Sequence, residues 1–385
     1  MSEAADRVWP AEVMRVLTFA AVIAVHATAV GNAASSVGAG AVLVLLHATR
    51  EAFFVLTAFV LVLRWADRPL PYRAFVRRRF LLIGVPYLVW SLLYAGLFGD
   101  DLRTTALAVL TGTAEYHLYF LLVSLQFAVL FPLLRALLAR THGHHGLLAV
   151  GTAAVQLGID ALLHAHPAAQ SRAGVLAPTY VAWFVVGGLL ALHRDTVRRA
   201  LAGRGALVAL GVLTTGGLTE ATYLLSVRGG TAPALADDVF HPVVALWSAA
   251  AVAGMWTLGE VWAARAGGVP AGRGAAAVRY GSDQSFGVFL AHPMLMYLAT
   301  IVASAALLRD LPGPVVAVVL YVVGAVGSLI VVAIARRTPA SLALTGKPRR
   351  HARPPRRNRC SPTRPTPRPA SRPARRSPAR AAARW

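Results

Sequence analysis

Apolar blocks separated by short polar segments dominate the chain. They fall at residues 13–30, 41–63, 80–98, 118–138, 147–163, 180–192, 206–226, 241–262, 285–308 and 314–335. Most have the length that a helix needs to cross about 30 Å of hydrocarbon, roughly 17 to 25 residues. The block at 180–192 is short and is expected to begin earlier, near Val175. Residues 104–113 are only weakly apolar and are interrupted by Gly and Thr, so they predict an outer loop or interfacial segment. The predicted fold is an all-α, polytopic integral membrane bundle of about ten transmembrane helices. No soluble domain stands at either end of the pattern, and no internal repeat or matched pair of broken helices marks a secondary transporter.

Composition agrees: 57% of the 385 residues are hydrophobic and 14% charged, against about a quarter charged in soluble domains. The net charge of +22 is concentrated at one end. From Arg336 onward there are sixteen Lys and Arg and no Asp or Glu, among Pro, Ser and Ala. Such a segment lacks the large apolar residues of a core, so residues 1–335 are read as the membrane domain and 336–385 as a disordered, cytoplasmic, Arg/Pro-rich tail. The expected partner of the tail is the anionic headgroup layer of the inner leaflet; no nucleic-acid-binding fold accompanies it. The single cysteine, Cys360, lies in this tail, which excludes structural disulfides and a catalytic thiolate in the membrane. The first block follows Glu3 and Asp6 and carries Arg15 and His26, unlike a cleavable signal peptide.

Loop arginines give the bundle a direction. Six Arg lie in residues 64–79, four in 193–205 and three in 263–284, whereas the alternate loops hold at most one each. Lys and Arg collect on the cytoplasmic side, so ten spans with both termini cytoplasmic satisfy every loop, in a multi-pass protein of the cell membrane.

A charge in hydrocarbon costs about 2.5–3.5 kcal/mol even on insertion scales, which makes ionisable groups inside the blocks the candidates for chemistry. Arg15 and His26 stand eleven residues apart in the first block. That spacing is three turns plus about 20°, which puts both on one helix face about 16 Å apart. A snorkelling anchor is the alternative for Arg15, and an interhelical hydrogen bond for His26. In the second block His47, Arg50 and Glu51 cluster within one turn. Glu51 is a candidate to orient an imidazole, as a carboxylate does in a catalytic triad, or else the partner of Arg50 in a structural ion pair. His117 stands at the mouth of the fourth block beside Glu115, Gln126 lies within that block, and His292 lies about two turns into the ninth. Together these groups predict a polar cavity. His142, His144 and His145 read as a solvated inner loop, and no metal site is expected.

Six segments, in this order, resemble the acyltransferase 3 family of membrane enzymes. They are MRVLTFAAVIAVHA (14–27), which holds the family's arrangement of Arg, ten residues and His, then REAFFVLTAFVLVLR (50–64) and FVRRRFLLIGVPYLVW (75–90). EYHLYFLLVSLQFAVLFPLL (115–134), WFVVGGLLAL (183–192) and SFGVFLAHPML (285–295) follow. The chain departs from the family's usual pattern at Thr57 and Ala58, where it has Ser-Gly, at Tyr119, where it has Trp, and at Leu82, where many members have an Arg.

The resemblance implies an acyltransferase that takes an acyl group, an acetyl foremost, from cytoplasmic acyl-CoA and places it on a hydroxyl of a saccharide, cell-envelope or natural-product acceptor. No permanently bound cofactor is implied; acyl-CoA, acetyl-CoA in the first instance, is a substrate. Under that reading His26 is general base or transient acyl carrier, and Arg15 steadies the donor or the oxyanion. Glu51 or a nearby group orients the imidazole, and Arg50, His47, His117 and His292 are supporting. Arg77, Arg78 and Arg79 suit the phosphates of the donor. The competing reading is a non-enzymatic exporter of a polysaccharide or lipid-linked intermediate.

Overall fold

The computed structural model describes residues 7–268, 270–303, 308 and 310–349, which form helices and turns and no strand. Helices α1 (Trp9–Gly31), α2 (Val37–Asp67) and α3 (Tyr72–Phe98) come first. A ten-residue α4 (Leu102–Thr111), too short to cross, separates them from α5 (Tyr119–Arg140) and α6 (His145–Ala165). Next come α7 (Pro167–Ala173), α8 (Val181–Leu201), α9 (Gly205–Arg228), α10 (Pro242–Arg265), α11 (Gly272–Ala303) and α12 (Gly313–Ala335), followed by the short α13 (Ser341–Thr345). Nine helices among the described residues are long and apolar enough to span a membrane, and a tenth span is counted when the bent pair of α7 and the helix running on from Ala177 is taken as one. That pair turns through 100°. Its last turns, in α8, carry Arg194, Asp195, Arg198 and Arg199.

The bundle is inverted relative to a soluble protein. Large apolar side chains such as Leu133, Leu213 and Val302 are exposed, while Glu51, Asp160, His117, Ser248 and His292 are buried. Lipid demands this arrangement, because it gives polar groups no partner. Helices in lipid gain by close approach, and α8 lies tightly along the second half of α2. A Cβ on Gly187 would stand 2.2 Å from the carbonyl oxygen of Val55, and Phe184 packs on Phe54 at 5.2 Å. This contact holds α8 against α2, itself one of the nine.

Local sequence explains the irregularities. α2 breaks once, at His47, between Val37–Leu46 and Ala48–Asp67, and its start is capped by Ser36, whose hydroxyl accepts the Ala39 amide at 3.2 Å. α3 carries a π turn at Phe80–Gly84 just ahead of Pro86, whose ring and missing N–H disturb a regular ladder there.

One boundary differs from the sequence reading. The compact unit runs to Arg349 and does not stop at 335. α13 packs against α3 and α11: the Trp90 indole donates to the Leu344 carbonyl at 3.1 Å, and the Lys347 ammonium pairs with Asp283. Arg336 is buried. Composition averaged over 336–385 hides this segment, in which Leu342, Leu344 and the small hydroxyl residues Thr338, Ser341 and Thr345 precede the Pro/Arg repeats. Residues 350–385, with Cys360 and the expected contact with anionic lipid, lie outside the described residues.

Candidate active site

Three histidines from distant parts of the chain converge near the end of α1 at Gly31. His26 comes from α1, His117 from the segment leading into α5, and His292 from the middle of α11. The His26 and His292 rings stack at 5.2 Å. His117 meets His292 at 5.5 Å and His26 at 6.5 Å. His117 and His292 are fully buried, whereas His26 is partly accessible.

Each ring is held by its surroundings. His292 Nδ1 lies 3.2 Å from the Val288 carbonyl; a carbonyl only accepts, so Nδ1 carries the proton and Nε2 keeps a lone pair. That Nε2 is buried without a hydrogen-bond partner. Pro293, next in α11, cannot donate to the helix ladder. Tyr94 of α3 inserts its hydroxyl one residue further on, accepting the Met294 amide at 3.1 Å and donating to the Leu290 carbonyl at 2.9 Å. A side chain spliced into the ladder beside a proline fixes a local bend, and with it the direction of His292. His117 faces the backbone of Leu290, which Tyr94 already engages, and neither of its nitrogens closes a hydrogen bond of ordinary geometry. The Tyr116 ring covers His26 at 4.3 Å.

Beyond Tyr116 opens a cleft of about 540 Å³, bounded by the end of α3, α4, the segment before α5, and Tyr297 of α11. Glu115 is its most buried polar group, at 5% exposure. It accepts the Tyr297 hydroxyl and the Tyr116 amide on one oxygen, each at 3.2 Å. Its pKa is raised, chiefly by burial.

A second cavity, of about 1260 Å³, lies at the opposite end of the bundle. Arg64, Arg68, Arg78, Arg79, Arg194 and Arg198 line it, with aromatic walls from Trp9, Trp65 and Trp256. Arg15 sits nearby, its guanidinium donating to the Ser282 hydroxyl at 3.0 Å and lying 3.8 Å from Glu12. Between Arg15 and the histidines, Phe19, Phe53 and Phe289 pack ring against ring at 5.7–6.1 Å. Phe120 joins them at 5.3 Å from Phe53.

The sequence candidates thus divide among three places. His26, His117 and His292 come together, while Arg15 stays on the far side of the phenylalanines. Arg78 and Arg79 line the second cavity and Arg77 is not among its lining residues. Both Glu51 oxygens have partners other than the three histidines. One Glu51 oxygen takes Arg50 Nε at 2.7 Å and Nη2 at 2.6 Å, and the other accepts the Ser248 hydroxyl at 3.4 Å. Arg50 also donates to the Val239 carbonyl at 3.0 Å and lies over the Tyr180 and Phe240 rings. His47 pairs with Asp237 at 2.6 Å. These three residues hold down the segment before α10. They belong to the ion-pair alternative, because their helix face turns to α8 and α10.

Sequence reading missed Tyr94, Tyr116 and Tyr297, which carry no spacing signal towards His26. It read Arg194 and Arg198 only as loop charges that set orientation. Among the described residues no group of His, Cys, Asp or Glu is placed to hold a metal ion.

A family model described as an acyltransferase domain, acyltransferase 3, matches residues 11–337. No curated protein and no solved structure matches the chain. The match starts just before Arg15 and takes in all three converging histidines and the arginines Arg64 to Arg198 of the second cavity, so the chain belongs to the acyltransferase 3 family and is a multi-pass membrane acyltransferase.

Proposed function

We propose that the enzyme moves an acyl group, an acetyl foremost, from cytoplasmic acyl-CoA to an acceptor hydroxyl presented at the opposite face, with His26 as general base. One observation carries this reading: a three-histidine cluster with a lone-pair nitrogen stands between an arginine-lined inner cavity and an outer cleft, and Arg15 and His26 lie along one helix. The arginine-rich end is assigned to the cytoplasm by the loop charges, which also puts both termini there. Guanidinium groups from α2, α3 and α8 suit the phosphates of CoA. The pantetheine arm then runs past Arg15 towards His26, and the phenylalanines between them must part to admit it.

In the reaction His26 takes the proton as the acceptor oxygen attacks the thioester carbonyl. The tetrahedral intermediate collapses with cleavage of the C–S bond, and the departing thiolate recovers the proton from the imidazolium. Arg15, about 16 Å from His26 by helix geometry, steadies the donor and lies too far away to hold the oxyanion. An exporter would need Phe19, Phe53, Phe120 and Phe289 to part widely enough for a whole saccharide, whereas a pantetheine arm needs a narrower opening.

The test is incubation of membranes with labelled acetyl-CoA, comparing wild type with His26→Ala and identifying the labelled product by mass spectrometry. Label should pass to an acceptor only with wild type. Equal transfer by both proteins removes His26 from the reaction, and preserved acylation with lost export favours the exporter.

A further inference from the structure

The outer cleft has a chemistry that acyl transfer alone does not require. Its described walls carry three aromatic rings, Phe98, Tyr116 and Tyr297, two carboxylates, Asp100 and Glu115, and threonine hydroxyls, with no basic side chain. Glu115 is more than nine-tenths buried, yet both of its hydrogen bonds fall on Oε1. No hydrogen bond within the described residues reaches Oε2, which leaves it open to a donor that a ligand in the cleft would supply.

We infer that this cleft is the acceptor subsite and that it selects an uncharged or amine-bearing saccharide over an anionic one. The inference rests on the acyl-transfer reading above. Aromatic faces cover the C–H face of a pyranose ring, while carboxylate and threonine oxygens accept from its hydroxyls or from an ammonium group. Two carboxylates with no compensating base repel a uronate or phosphate. Tyr116 forms part of the cleft wall and also packs on His26, so a sugar stacked on Tyr116 brings a hydroxyl to the edge of the imidazole.

The test uses the full chain in lipid nanodiscs, with binding followed by intrinsic fluorescence for three probes: cellotetraose, a glucosamine tetramer and tetragalacturonate. The neutral and amine probes should bind, and the uronate should bind at least about tenfold more weakly. Glu115→Gln should weaken the amine probe by about tenfold or more, the usual loss for a charged hydrogen bond, and should narrow its advantage over the uronate. Asp100→Asn, at an exposed rim position, should do the same more weakly and guards against misfolding of the Glu115 variant. Uronate binding as tight as that of the neutral probe, an unchanged probe ratio in both variants, or no binding of any probe overturns the inference. Transfer from labelled acetyl-CoA is measured in parallel. Saccharide binding without transfer to any acceptor counts against acyl transfer and leaves the cleft as a charge-selective saccharide site, whereas transfer to an anionic acceptor overturns the cleft assignment alone.

Discussion

Replacing Glu51 by Gln separates the two roles that its position in α2 allows. Glu51 is 2% exposed and Arg50 7%, and the pair is joined by contacts of 2.7 and 2.6 Å. Neutralising Glu51 leaves a guanidinium in the bundle with one backbone carbonyl and two aromatic faces for company. Breaking a buried pair from one side costs about 3–5 kcal/mol, whereas removing both charges costs less because no lone charge remains. Arg50→Gln, Glu51→Gln and the double variant form a cycle that equilibrium unfolding in mixed micelles can read. Each single change should lose about 3–5 kcal/mol, and the double variant should lose less than their sum, with a coupling of about 2 kcal/mol. Acyl transfer per folded molecule and its pH profile should stay as in wild type. If Glu51→Gln keeps its stability but loses transfer with a displaced pH profile, Glu51 acts on His26 and the structural assignment is refuted.

Three further outcomes follow from the packing. A chain ending at Arg349 should melt with the full-length protein, while one ending at 335 loses the Trp90–Leu344 and Lys347–Asp283 contacts, at about 1 kcal/mol or more for each bond; equal melting of the two in detergent would show that α13 contributes nothing. Tyr94→Phe removes the hydroxyl spliced into α11, leaving Leu290 and Met294 short of partners at a cost of about 1–3 kcal/mol, and it should lower kcat more than donor affinity because it releases His292. His241 caps α10 by accepting the Val243 amide on Nδ1 at 3.2 Å, which needs the neutral ring. Burial, then His164, hold its pKa below the ordinary 6.5, and Asp238 opposes them only in part. Unfolded His241 therefore gains its proton at a higher pH than the folded form does, so its contribution is complete above about pH 6.5 and is lost as pH falls through that value towards the lower folded pKa. Hydrogen exchange at Val243 should accelerate on acidification, and His241→Asn, which keeps a cap, should remove the dependence.

What could be read from the sequence was what lies along a single helix, and what could not was which helix faces which. Arg15 and His26 are eleven residues apart on α1, so helix geometry alone gave their common face and separation. His117 and His292 were visible as polar groups in apolar blocks, but nothing in the spacing of residues 26, 117 and 292 says that they meet. The role of Glu51 stayed open between orienting an imidazole and pairing with Arg50 for the same reason: its turn also holds His47 and Arg50, and intrahelical spacing left the face it turns to undetermined. In a soluble protein the apolar stripe of each helix would have marked its inner side. In lipid the outer face is as apolar as the packed one, so that mark is missing, and small residues such as Gly187 against Val55 decide the neighbours instead. Tyr94 sharpens the point: its hydroxyl donates to the Leu290 carbonyl and accepts the Met294 amide of α11 beside Pro293, some two hundred residues away, and nothing in the spacing marks that meeting.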